Sequence, residues 1–190
     1  MARIRPGRAV RKINSQAWSR YSVSKPRKNY IKALPHTSLL VFNMGVRKDD
    51  YDIVMRLVSE QNVQIRSNSI EAARQASNKF LEKEIPRAYS YKIVPYPHSV
   101  IREKKFATGA GADRISQGMT LSFGRPSSVA ARVFAGDSVF EIRTYAANRK
   151  VAQIAMRRAA LKLSGTYKVK VDELKAQAAP AAKATAVATA

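Results

Sequence analysis

Arg102, Lys104 and Lys105 stand just before Gly109-Ala110-Gly111-Ala112 and the pair Asp113-Arg114, and Arg125 follows Gly124 further on. Guanidinium and ammonium groups neutralise phosphates, while glycine lets a backbone take positive φ and come close to a ligand that a Cβ would hold off. Gly109, Gly111, Gly118 and Gly124 fall within sixteen residues, so the stretch Arg102 to Arg132 needs a backbone of demanding geometry. The chemistry that fits is phosphate recognition by a long loop. A loop that merely turns is the plainer reading, but one of this length inside a domain is uncommon unless it is functional or disordered.

The same residues make a poor catalytic set. Gly109 to Ala112 lacks the further glycine of a dinucleotide fingerprint, and no Gly-Lys-Ser/Thr follows it. There is no Gly-x-Ser-x-Gly elbow and no paired-histidine zinc spacing. His36 and His98 are the only histidines and cysteine is absent, so no metal site, disulfide or cofactor is expected. His98 reads as a satisfied structural histidine. Asp113 beside Arg114 reads as an ion pair or backbone-bonded carboxylate that holds the loop. Neither an enzyme nor a small-molecule substrate is expected.

Charge points to the partner. The chain of 190 residues carries 35 Lys and Arg against 13 Asp and Glu, a net charge of +22. Such self-repulsion predicts a polyanion. Residues 1–48 hold twelve cations and no acid, and 142–171 hold eight cations and no acid, so one side is expected to face the polyanion. No run of eighteen apolar residues and no apolar segment behind the first cations predicts a membrane span or a signal peptide.

The elements that must position these groups follow from periodicity. Residues 1–37 read as an extended arm in which Arg3, Arg5, Arg8, Arg11, Lys12, Arg20, Lys25, Arg27 and Lys28 alternate with Trp18, Tyr21 and Tyr30. Pro6, Pro26 and Pro35 disfavour a long helix there. Leu39 to Phe42 reads as a buried strand ended by Asn43-Met44-Gly45, and Tyr51, Val54, Leu57 and Val58 fall at helical spacing. Gln61 to Arg66 fits a strand. Ile70 to Glu84 predicts a helix capped by Ser67 or Asn68, with Ile70, Ala73, Ser77, Phe80 and Leu81 as its buried stripe. Tyr89 to Val94 alternates as a strand and resumes at Ser99 to Ile101. Val129 to Phe134 and Ser138 to Arg143 flank Ala135-Gly136-Asp137 as a β-hairpin. Asn148 to Leu163 predicts a helix with Val151, Ile154, Ala155 and Ala159 inward and Gly165 as its stop. Arg149 and Lys150 in its first turn oppose the helix dipole, a cost that a bound phosphate would offset. Tyr167 to Val171 alternates as a last strand, and the alanine-rich segment from Lys175 cannot build a core.

The run from Gly109 to Met119 (GAGADRISQGM), then Phe123 to Pro126 and Ala130 to Val133, closely resembles the signature of one ribosomal family. This is the archaeal and eukaryotic large-subunit ribosomal protein ten-e, counterpart of bacterial large-subunit protein sixteen. Arg5-Pro6, Phe42 to Gly45, Glu71 to Arg74, Pro97-His98 with Val100 to Arg102, Ile142 to Thr144 and Arg157 to Ala159 extend the resemblance from about Arg3 to Val171. Without eukaryotic-type C-terminal extensions, the archaeal branch is expected. The resemblance implies an α+β sandwich-like domain, with two main helices on antiparallel or mixed strands. It implies a cytoplasmic ribosomal protein, bound to large-subunit ribosomal RNA beside the A-site transfer RNA and among neighbouring ribosomal proteins. It also implies late joining to the subunit and a loop, matched by Arg102 to Gly118, directed at the peptidyl-transferase centre. Thr120 to Ser122, Ser99, Asn14 to Lys25 and the tail depart from the family pattern, so contacts of the arm do not carry over singly.

Residues 1–37, 38–172 and 173–190 are thus expected to be arm, RNA-binding domain and low-complexity tail. Its RNA contacts are expected from the arm cations, Arg102, Lys104, Lys105, Gly109, Gly111, Arg114, Arg125, Arg132, Arg149 and Lys150. Two other readings of the charge are a nucleic-acid packaging module, which would also bind duplex DNA, and an RNA-modifying enzyme holding a nucleotide cofactor in the glycine loop.

Overall fold

In a computed structural model of the chain, the described residues are 13, 24–29, 31–104, 109–115 and 124–174. Eight strands form two sheets. The strands are β1 (Asn43–Gly45), β2 (Ile53–Ser59), β3 (Val63–Arg66), β4 (Tyr89–Ile93), β5 (Ser99–Glu103), β6 (Arg125–Val133), β7 (Ser138–Thr144) and β8 (Tyr167–Glu173). A five-stranded sheet runs β1-β4-β7-β2-β8 and a three-stranded sheet runs β3-β6-β5. All six pairings are antiparallel, with no mixed sheet among the described residues. The main helices are α1 (Ser67–Glu84) and, after the short α2 (Ala112–Ile115), α3 (Arg149–Ala160). The α+β class expected from the sequence is the one observed.

The two helices pack on each other, α1 against β3 and β6 and α3 against β2, β7 and β8, so one helical layer spans both sheets. Buried Ile70, Ala73 and Leu81 of α1 join Leu57, Tyr91, Phe140 and Ile142 in one core. The Tyr91 and Phe140 rings meet at 5.4 Å between centroids. Across the same interface the Tyr91 hydroxyl is hydrogen-bonded to Ser77 Oγ at 2.8 Å, and the Tyr89 hydroxyl donates to Asn78 Oδ1 at 2.8 Å. Burial pushes the Tyr91 phenol up, and it pushes those of Tyr89 and Tyr167 up to about 12, because a phenolate is poorly solvated there.

Several expectations need correction. The strand placed at Leu39 to Phe42 lies instead at β1, because Leu40 and Val41 face solvent and pairing with β4 starts at Asn43. The helical spacing of Tyr51, Val54, Leu57 and Val58 belongs to β2, a strand buried on both faces that therefore lacks alternation. Helix α1 has Arg66 at its N-cap with no side-chain cap bond, and Ser67 Oγ lies 3.4 Å from Ser38 Oγ. Its stripe is Ser67, Ile70, Ala73, Ser77 and Leu81, with Phe80 half-buried at the rim.

The expected hairpin of β6 and β7 is not one. The tight turn at Ala135-Gly136-Asp137 passes the chain from the three-stranded to the five-stranded sheet, where β6 pairs β3 and β5 while β7 pairs β2 and β4. Strand β6 also starts earlier than expected, at Arg125. Helix α3 buries Ala152, Ala155, Met156 and Ala159, while Ile154 faces out, because close packing on α1 and the sheet selects small side chains. It ends at Ala160, short of Gly165. That glycine instead takes φ +100° after the helix, where an added Cβ would lie 2.8 Å from Val63 Cγ1.

Candidate nucleic-acid interface

The β5–β6 pair is a ribbon that begins in the core and ends in charge. Val100 faces Val129 at its buried end, and both pack with Ile31. Beyond a register shift after Ile101, Arg102 stands opposite Pro126 and Glu103 opposite Arg125. Proline donates no ladder hydrogen bond, which suits it to an irregular site of this kind. Gly124 then closes the ribbon at φ +152°, where an added Cβ would sit 3.3 Å from Arg102 Cβ and from the Glu103 backbone. Positive φ and a tight approach to β5 both favour glycine here.

At this end Arg102 and Lys104 are half-buried and Arg125 is exposed. The one acid among them, Glu103, accepts a hydrogen bond from Ser127 Oγ at 3.0 Å. Three cations, Arg102 and Lys104 at and just past the end of β5 and Arg125 at the start of β6, thus mark the two faces of one ribbon tip, a fit for an extended phosphate backbone rather than for a single small anion.

The chain after the ribbon makes one turn of helix. Gly109 at φ +135° and Gly111 at φ +74° precede and start it, with Arg114 N–H donating to the Gly111 carbonyl at 3.1 Å. Nothing lies within 4 Å of a Cβ built on either glycine, so backbone angle and not space selects them. Arg114 is exposed. Lys25, Arg27 and Lys28 are exposed on a 3-10 turn, Pro26–Lys28, three residues before Ile31 anchors the segment to the ribbon.

Arg132 is placed differently. It lies on β6 near the core, half-buried, and its guanidinium donates to the carbonyl of Ile13. Arg149 and Lys150 are exposed in the first turn of α3, and no described contact joins them to the ribbon. Arg3, Arg5, Arg8, Arg11, Lys12, Arg20 and Lys105 lie outside the described residues, as do Trp18, Tyr21, Tyr30 and the tail from Lys175.

Two positions that the sequence did not single out matter here. Ile13 and Ile31 are buried and seat the arm on the three-stranded sheet. Their only signal is an isolated branched apolar residue within a cationic stretch. His98 is exposed, with Nδ1 3.1 Å from the Tyr96 carbonyl. Among the described residues no group of three His, Cys, Asp or Glu side chains is placed to hold a metal ion, and no helix is long and apolar enough to cross a membrane.

Comparison with known proteins agrees with this geometry. Residues 18–170 match the family described as ribosomal protein L16p/L10e. A large ribosomal subunit protein uL16 of Thermoplasma acidophilum is 41% identical over 170 residues, covering 89% of this chain and 93% of its own. Those of Methanocella arvoryzae (40% identical, covering 91% and 96%) and Archaeoglobus fulgidus (38%, covering 84% and 92%) are similar to it over comparable lengths. With the α+β fold, the cationic ribbon and the glycine-started turn in place, this chain belongs to the ribosomal protein L16p/L10e family.

Proposed function

We propose that this protein is a structural constituent of the large ribosomal subunit in the cytoplasm, where it binds ribosomal RNA through the β5–β6 ribbon and its loop. The observation that carries the reading is the ribbon tip, which places Arg102, Lys104 and Arg125 at the outer end of strands whose other end is fixed in the core. Lys25, Arg27, Lys28 and Arg114 extend the same contact, and the arm cations before them add phosphate contacts.

The family resemblance supports the finer placement beside the A-site transfer RNA, with 102–118 directed at the peptidyl-transferase centre and other ribosomal proteins as neighbours. Residues 38–172 act as the RNA-binding domain, with 1–37 as its arm; strand β8 runs on through Glu173, so the domain extends past the expected start of the tail.

A native lysate sedimented through sucrose, with and without a high-salt wash, tests this. The protein is expected with large subunits and whole ribosomes, and to be released by salt. Sedimentation at the top of the gradient or with the chromosome would overturn the reading in favour of nucleic-acid packaging. Shortening 105–117 to a Gly-Ser linker is expected to preserve the thermal melt and impair translation.

A further inference from the structure

The outer surface of the helix pair carries a second cationic feature. Arg158 of α3 lies over the ring of Phe80 of α1, its guanidinium carbon 3.9 Å from the ring centroid. Lys79 and Lys83, one helical turn apart on α1, line with Ala76, Phe80, Glu84 and Arg158 a groove of about 250 Å³. Cation–π contact holds the guanidinium plane in place, so a ligand that binds it has less side-chain freedom to remove.

The groove has three cations and one acid, Glu84, at its rim. Among the described residues none of the three cations has a carboxylate at ion-pair distance. The nearby acids of α1 are engaged elsewhere: Glu71 with Arg74, and Glu82 with the side-chain amide of Asn78. Arg157 on α3 and Lys162 just past its end are also exposed cations. The exposed apolar side chains of that helix and its C-cap, Ile154 and Leu161, do not line the groove. Its chemistry therefore fits a polyanion better than an apolar segment of protein. No groove residue belongs to the strands that carry the loop.

We propose that the α1–α3 groove grips the phosphodiester backbone of a second RNA segment, with Lys79, Lys83 and Arg158 as its phosphate contacts, separate from the RNA met by the ribbon. The inference rests on the ribosomal reading above and adds a second surface to it.

The test uses the full chain with three variants: K79Q/K83Q/R158Q, R102Q/R125Q, and the two sets combined. Affinity for protein-free large-subunit RNA is measured across salt. Each lost phosphate contact flattens the log–log salt slope by about 0.7 to 0.9, so the groove variant is expected to lose roughly two to three units of slope and about tenfold or more in low-salt affinity. The combined variant is expected to lose both contributions, with the thermal melt retained. Wild-type affinity and slope in the groove variant, beside a weakened ribbon variant, would overturn the groove and leave the ribosomal reading standing. Wild-type behaviour in all three would count against that reading itself. Lysine acetylation of purified subunits separates the remaining case. If Lys79 and Lys83 are protected there while the groove variant binds free RNA normally, a neighbouring protein covers the groove and RNA does not.

Discussion

The β4–β7 pair and the β5–β6 pair are both antiparallel ladders, yet they persist for different reasons. In the first, Tyr91 faces Ile142 and Ile93 faces Phe140, and all four side chains are buried. In the second, only the inner pairs Ser99–Ala130 and Val100–Val129 are buried on both strands, and the ladder runs out to Arg102, Glu103 and Arg125. Apolar burial holds the first without help from any partner. The second is anchored at one end and presents charge at the other, so its outer half has little of its own to pack on. The binding element of this fold is thus the unsupported end of a supported strand pair.

Phe140→Ala strikes the supported pair hardest. Removing a fully buried ring beside Tyr91 is expected to cost about 3 to 5 kcal/mol in chemical denaturation, with RNA binding lost only as folded protein is lost. Alkaline pH attacks the same region. Tyr89 and Tyr91 hold raised phenol values in the folded state against about 10 in the unfolded chain, so their contribution is complete below about pH 10. It is lost as pH climbs towards 12. Melts followed alongside the phenolate absorbance should show unfolding and ionisation together, and Tyr91→Phe should weaken the pH dependence.

Ser77→Ala removes the buried partner of the Tyr91 hydroxyl and is expected to cost about 1 to 2 kcal/mol, slightly offset by the better helix propensity of alanine. The smallest effect on stability belongs to the ribbon. Arg125→Ala, an exposed change, is expected to shift stability by no more than about 0.5 kcal/mol while flattening the salt dependence of RNA binding by about one contact. A large loss of stability there would erase the distinction between the two pairs.

What the sequence revealed follows the same division. Helix α1 and strand β4 were legible because each buries one face and so keeps its periodicity, at 3.6 residues and at two. Strand β2 was not, since burial on both faces erased its alternation. The turn at Ala135 to Asp137 was legible as a turn, but the partners of β6 and β7 were not. A tight turn has the same local chemistry whether it joins neighbours in one sheet or passes between two. On α3 the alanines that touch the core carry little hydropathy, so Ile154 misled where Ala152 and Met156 pack. The ribbon cations were visible as charge. The pairing of Arg158 with Phe80 joins residues 78 positions apart, and neither element alone announces it.

The place of β8 bears on how the chain is made. Strand β2 is flanked by β7 on one side and by β8 on the other, with Ile53 opposite Glu173. During synthesis at about 5 to 20 residues per second, the outer edge of β2 therefore waits on the order of ten seconds for its last partner to emerge. Through that interval the segment Ile53 to Val58, apolar but for Arg56, has an open row of backbone donors and acceptors, the kind of edge that recruits strands from other chains. A nascent chain with so much positive charge is also drawn to any nearby RNA. Early shielding of that edge, by a chaperone or by the subunit itself, would matter more for yield than any single contact in the finished fold.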